Sequence, residues 1–166
     1  MLNPNKLYTK IALYDTSVSE YKIKLAFDFA KKNHNGQYRE TGEDYFTHPL
    51  AVSQILLDMK LDSSTIITAL LHDVVEDSNV TLDDIDKNFG KEIKKLVDGV
   101  TKLSKIDLKT GLVQAENFRK LLISSSDDVR VLLVKLADRL HNLRTINGIH
   151  CSVRRGFRMT VYSLEA

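Results

Sequence analysis

His72, Asp73, Glu76 and Asp77 crowd the polar end of a segment that is otherwise apolar at Ile66, Ile67, Leu70, Leu71, Val74 and Val75. Read as one helix from an Asp62 or Ser63 cap through Asp77, the segment is apolar nearly all round, which marks it as buried. His72 and Glu76 then share a face, as do Asp73 and Asp77, and the two faces adjoin. Three carboxylates there oppose the negative end of the helix dipole, and burying them together costs several kcal/mol unless a cation compensates. A His beside carboxylates is a normal ligand set for a first-row divalent ion. The competing reading is an acidic turn frayed into solvent, where the charges cost little.

A metal centre needs partners from elsewhere in the chain. Asp138 faces away from the apolar stripe Val129, Leu133, Leu136, Leu140 and Leu143, and Asn142 and Thr145 continue its polar line at four and seven residues. Asp138 is thus a candidate ligand, or else one half of a surface ion pair with Lys135 or Arg139. His48 precedes Pro49 at the N-terminal edge of a helix, where the backbone presents an imidazole from a fixed position. His34, His141 and His150 have no comparable constellation, although His141 is placed to orient a neighbouring ligand.

The elements that must position these residues are helical. Ile23, Ala26, Phe27 and Ala30 give Val18 to Asn33 one apolar face. His34 to His48 is a loop, and a helix follows from Pro49 to about Met59. Thr81 and Asp84 form a capping box for a short helix closed at Phe89-Gly90. Lys91 to Asp98 is predicted to be a helix stopped at Gly99, and Gly111 precedes an apolar-periodic segment through Leu112, Ala115, Phe118 and Leu122. The last helix starts at Asp128 and is stopped by Asn147-Gly148. Met1 to Asp15 shows no apolar core, and residues 149–166 are expected to be a loosely attached tail. With no period-two run, the predicted class is all-α, one domain over residues 1–148.

Composition narrows the function. With 24 basic and 22 acidic residues among 166, a net charge of +2 gives no basic field of the kind nucleic-acid binding requires. One cysteine, Cys151, forms no internal disulfide, and no run reaches membrane-spanning length. A cytoplasmic protein with neither nucleic-acid nor membrane partner is the expectation.

Three ordered motifs go further. Arg39-Glu-Thr-Gly42-Glu-Asp-Tyr-Phe-Thr-His48-Pro49, His72-Asp73-Val-Val-Glu76-Asp77 and Lys135-Leu-Ala-Asp138-Arg139-Leu-His141-Asn142-Leu-Arg144-Thr145 together resemble the hydrolase domain of the RelA/SpoT family, within the HD superfamily. Val97 to Leu103 is similar to that family's linking segment. The resemblance implies an all-α HD fold in which His48, His72, Asp73 and Asp138 ligate Mn2+ and Glu76 and Asp77 are catalytic acids. It also implies that Arg39 contacts guanine, that Asn142 and Thr145 contact the nucleoside, and that the substrate is ppGpp or pppGpp, cut to GDP or GTP. Glu40 stands where the family often has a basic residue. Ile146 to Ala166 resembles nothing in it, so the chain reads as a hydrolase domain truncated after its last motif, without the synthetase and with its last helix poorly covered.

Apart from the resemblance, a buried metal with two nearby acids suits attack of water on phosphorus, with Glu76 the first choice to handle the proton. Two alternatives stay open: an HD phosphohydrolase for another nucleotide, and an inactive remnant that binds nucleotide or a partner.

Overall fold

The computed structural model describes residues 2–104 and 128–145. Among them the chain is helical, with no strand and a single isolated bridge between Tyr38 and Asp44, in agreement with the all-α expectation. The segment after Gly111, the Asn147-Gly148 stop and the tail at 149–166 lie outside the described residues.

Helix α1 spans Pro4–Ala12. The sequence pattern indicated no element here, because only two apolar positions anchor it. Leu7 and Ile11, one turn apart, are both fully buried, while the Asn3 side chain accepts from the Lys6 amide and Pro4 fits the first turn. Helix α2 (Glu20–Asn33), capped by Ser19, buries Ile23, Ala26, Phe27 and Ala30 as their spacing predicts. Helix α3 (Thr47–Asp58) begins two residues before Pro49, so His48 lies inside its first turn.

Helix α4 (Ser63–Leu71) is the centre of the molecule. Asp62 caps it, every residue from Thr65 to Leu71 is buried, and α2, α3 and two later helices pack around it. It does not run on to Asp77 as the sequence suggested. The helix ends at His72, and a separate turn, α5 (Val74–Asp77), starts from Asp73. The cause is local: His72 Nδ1 donates to the Ala69 carbonyl at 2.8 Å, the acceptor that an unbroken helix would offer to the Asp73 amide. The Glu76 amide turns to the Asp73 carbonyl three residues back at 3.1 Å, while the Asp77 amide makes the ordinary four-residue helical bond to the same carbonyl at 2.9 Å.

Helix α6 (Leu82–Phe89) carries the predicted capping box, with Thr81 and Asp84 bonded reciprocally, and ends at Gly90 with φ of 90°. Helix α7 (Lys91–Ser104) passes through Gly99 instead of stopping there. That glycine serves packing: a Cβ on Gly99 would stand 2.8 Å from Val131 Cγ2, on helix α8 (Val129–Thr145). Without a side chain at 99, α7 and α8 approach closely.

The register of α8 differs from the predicted one. Its inner face is Val131, Val134, Ala137 and Asp138, whereas Val129, Leu136, Leu140 and Leu143 are exposed. The leucine spacing is helical, but the smaller residues beside it fit the narrow gap against α7. Asp138 does face away from the leucines, and for that reason it points inward. Among the described residues no helix is long and apolar enough to cross a membrane.

The α7–α8 approach gives a stability prediction. Gly99→Ala raises helix propensity, yet its Cβ collides with a stiff β-branched side chain, so the expected net loss is about 1–3 kcal/mol in urea unfolding. Val131→Ala introduced into the same background should recover part of that loss.

Candidate active site

The four residues singled out as metal ligands arrive from three directions. His48 comes from the first turn of α3, His72 and Asp73 from the break between α4 and α5, and Asp138 from the inner face of α8. His48, His72 and Asp138 are buried, and each offers one ligand atom within 4.8 Å of the others, the one such group found among the described residues. Asp73 completes the cluster, with Oδ1 3.1 Å from His72 Nε2 and Oδ2 3.5 Å from His48 Nε2.

The hydrogen bonds fix the ring nitrogens that face this cluster. His72 Nδ1 is committed to the Ala69 carbonyl, and its Nε2 is fully buried without an aligned hydrogen-bond partner. On the other side, Arg39 Nη1 lies 3.3 Å from His141 Nδ1, and a guanidinium only donates. His141 Nδ1 is therefore an acceptor, and in its 2.8 Å contact with His48 Nδ1 the proton belongs to His48. This leaves the His48 Nε2 lone pair facing Asp138 Oδ1 at 3.2 Å. Burial, then His48 and Arg39, push His141 down to about 4, which suits a neutral acceptor.

Two imidazole lone pairs beside the buried Asp138 and the partly buried Asp73 repel one another unless a cation lies between them. The donor set therefore fits a divalent metal. Without one, a proton takes its place: burial disfavours charge on His72, but Asp73 and then Asp138 outweigh it and push the ring up to about 9. Burial likewise works against ionised Asp73, yet His72 holds it well below the usual carboxylate range. Asp138 is also held low, against burial, with the Lys135 ammonium beside it, Nζ 2.7 Å from Oδ2. The Lys135 ion pair and the buried site are thus both present, where the sequence offered them as alternatives.

The cluster opens into a cleft of about 490 Å³. Glu76, Asp77, Arg39, Asn142 and Thr145 line it with His48, Asp73 and Asp138, whereas His72 is fully buried and does not reach its wall. Arg39 arrives on a loop turned by Gly36 and Gly42, at φ of 80° and 84°, and its Nη2 donates to Asn142 Oδ1 at 2.8 Å. The Thr145 hydroxyl instead bonds back to the His141 and Asn142 carbonyls of its own helix. Glu76 and Asp77 are exposed on the rim. Although the residue is exposed, partial desolvation of the Glu76 carboxyl raises it against the pull of Ser104 and Lys135.

Tyr45 was not singled out. Its hydroxyl donates to Asp77 Oδ2 at 2.6 Å and lies 3.0 Å from Asp73 Oδ2, joining an acid on the rim to the buried cluster. Burial and both carboxylates raise this phenol far above its ordinary value, so its proton stays. The only signal in the sequence was its place in the first motif, since a lone Tyr in a loop has no spacing to argue from.

With this geometry in view, the similarity to known proteins is informative. Residues 26–162 match the family model described as HD domain. The chain belongs to the HD domain family. The match passes Thr145, where the motif resemblance ended. Among RelA/SpoT-type relatives, the HD chain is 51% identical over 156 residues to a GTP pyrophosphokinase rsh of Brucella suis, covering 93% of this chain and 21% of the relative. It is 47% identical over 135 residues to the bifunctional (p)ppGpp synthase/hydrolase SpoT of Escherichia coli K12, covering 81% and 19%. The chain thus spans about a fifth of the length of these relatives. A solved structure described as a metazoan ortholog of SpoT that hydrolyzes ppGpp superposes with a TM-score of 0.67 at 29% identity, covering 89% of this chain and 88% of that one.

Two measurements follow from the tautomers and the trapped proton. A metal that takes the His72 Nε2 lone pair must displace the proton held there up to about 9. Manganese binding at pH 7 should therefore release about one proton, seen as buffer-dependent heat in titration calorimetry. His141→Ala removes no proposed ligand but frees His48 to rotate, and should weaken manganese binding by about 10–100-fold.

Proposed function

We propose that this HD domain is a metal-dependent pyrophosphohydrolase that removes the 3′-diphosphate of ppGpp or pppGpp, giving GDP or GTP and pyrophosphate. The observation that carries this reading is the cleft itself: a buried imidazole–carboxylate cluster opening between walls that hold the acids Glu76 and Asp77 and the bonded pair Arg39 and Asn142. What the SpoT-type relatives are named for supports the choice of substrate. Residues 1–148 form the domain in this reading.

His48, His72, Asp73 and Asp138 would hold a divalent ion, Mn2+ by the family resemblance. When bound, that ion activates water and neutralises charge on the diphosphate. Glu76 takes the proton from the attacking water as its oxygen bonds to the phosphorus on the 3′ oxygen. Its raised affinity for a proton suits a general base. The P–O3′ bond then breaks, the 3′ oxygen takes a proton from solvent, and the proton held by Glu76 returns to solvent. Asp77, fixed by Tyr45, shares in holding the water. Arg39 would leave Asn142 to meet the guanine, and Asn142 and Thr145 would contact the nucleoside.

Activity and metal content together test these roles. Pyrophosphate release from ppGpp should require manganese and stop on chelation. Glu76→Gln should lower turnover by about 10²-fold or more at unchanged metal content, whereas Asp138→Ala should lose metal and turnover together. Metal loss in Glu76→Gln would make Glu76 a ligand and reverse the assignment. Turnover of other nucleotides but not of ppGpp would give the site to a different substrate.

A further inference from the structure

His34 is a fully buried histidine that lines no part of the cleft, and the reaction above does not use it. Its surroundings are nevertheless specific. Gln37 Nε2 lies 2.7 Å from the backbone carbonyl of Asp77, which can only accept, so this end of the amide is the donor. Gln37 Oε1 then faces His34 Nδ1 at 2.8 Å and needs a proton from it. His34 therefore carries its proton on Nδ1, and its Nε2 is buried with no partner among the described residues. A fold selected for stability alone would not leave that nitrogen unmet.

The same ring has a second contact. It stacks on Tyr45 with centroids 4.8 Å apart and planes 29° from parallel. The Tyr45 hydroxyl is the group that holds the Asp77 carboxylate. Asp77 ends a helical turn of four residues, so α5 itself gives it little rigidity. Gln37 grips its backbone, Tyr45 grips its side chain, and His34 stands behind both.

We infer that His34 is a positioning residue that fixes Asp77 through two arms, the Gln37 amide and the Tyr45 phenol. The inference rests on the reading of Asp77 as an acid of the proposed hydrolysis. Asp77 is held in place before substrate arrives, and the unmet nitrogen is the cost of aiming one ring at both arms.

The full chain with manganese and ppGpp tests this, with hydrogen exchange as a readout that needs no turnover. Gln37→Leu, at a partly exposed position, should speed exchange at residues 76–78 by about tenfold and leave the α7 amides unchanged. It should lower kcat by about tenfold at near-constant KM and manganese affinity, and cost nothing further in an Asp77→Asn background, since the two act as one unit. His34→Phe keeps the stack and loses the bond, and should reproduce Gln37→Leu. His34→Asn offers an N–H where Nδ1 stands, and should restore protection at 76–78 relative to His34→Phe. Unchanged exchange at 76–78 in Gln37→Leu overturns the clamp, as does a kcat loss that persists undiminished beside Asp77→Asn. If exchange responds as expected while the parent chain leaves ppGpp intact, the clamp stands and the hydrolase reading falls.

Discussion

Burying Asp73 and Asp138 against two imidazoles is the constraint to which the rest of this structure answers. Asp138 loses its hydration and Asp73 much of it, and charges brought together in that way hold only where their lone pairs have partners. The chain supplies partners from all sides: Lys135 for Asp138, the Tyr45 hydroxyl beside Asp73, and His141 behind His48. At the centre, among the described residues, His72 Nε2 meets only Asp73 Oδ1, at 3.1 Å, and the two need a cation between them. A proton fills that role when no metal is present, and the same atoms accommodate a divalent ion in its place. Site and fold are therefore opposed in energy here, and the surrounding apolar helices must outweigh the difference.

Those helices are arranged so that the cluster can form. Helix α4, buried on every side, carries His72 into the core, and α3 brings His48 against it. Asp138 arrives only because α8 lies close to α7, where Gly99 leaves room for Val131. Sparing a side chain at one position sets the distance of a whole helix, and the inner face of α8 is built of small residues to match. Arg130, near the start of α8, adds charged contacts to Asp62 and Glu92, tying that helix to the cap of α4 and to α7. The outward leucines show that size alone did not choose this register.

Much of this was legible in the residues. Periodicity located α2 and the capped starts of α4 and α6, because these elements obey local rules that the rest of the fold does not contradict. The selected site residues other than the buried His72 line one cleft, and the signal that linked them was three motifs, each weak alone, in a fixed order. The misses have a common origin in tertiary context. Gly99 reads as a stop from its neighbours and as a packing device only beside Val131. The leucine stripe of α8 is helical in spacing, but spacing does not say which of two adjoining faces meets α7. Helix α1 rests on two buried side chains, too few to register as a pattern. Gln37 and Tyr45, the two residues His34 touches, bond to Asp77 from forty and thirty-two positions away, beyond the reach of any spacing argument.

The break at His72 also changes how the two acids relate to the cluster. In an unbroken helix Glu76 would stack over His72 and Asp77 over Asp73, and the pairs would be near-equivalent. Starting α5 afresh at Asp73 removes that equivalence, since both amides now hang from one carbonyl and each side chain finds its own support. Glu76 turns toward Ser104 and Lys135, the end of α7 and the inner side of α8, where partial desolvation raises its affinity for a proton. Asp77 turns toward the loop, where Tyr45 holds its carboxylate and Gln37 its carbonyl. A carboxylate with raised proton affinity suits moving a proton, and one held at both ends suits holding a position. The division of labour proposed for these neighbours thus follows from a single side-chain hydrogen bond, that of His72 to Ala69, which ends one helix and lets the next begin in a new direction.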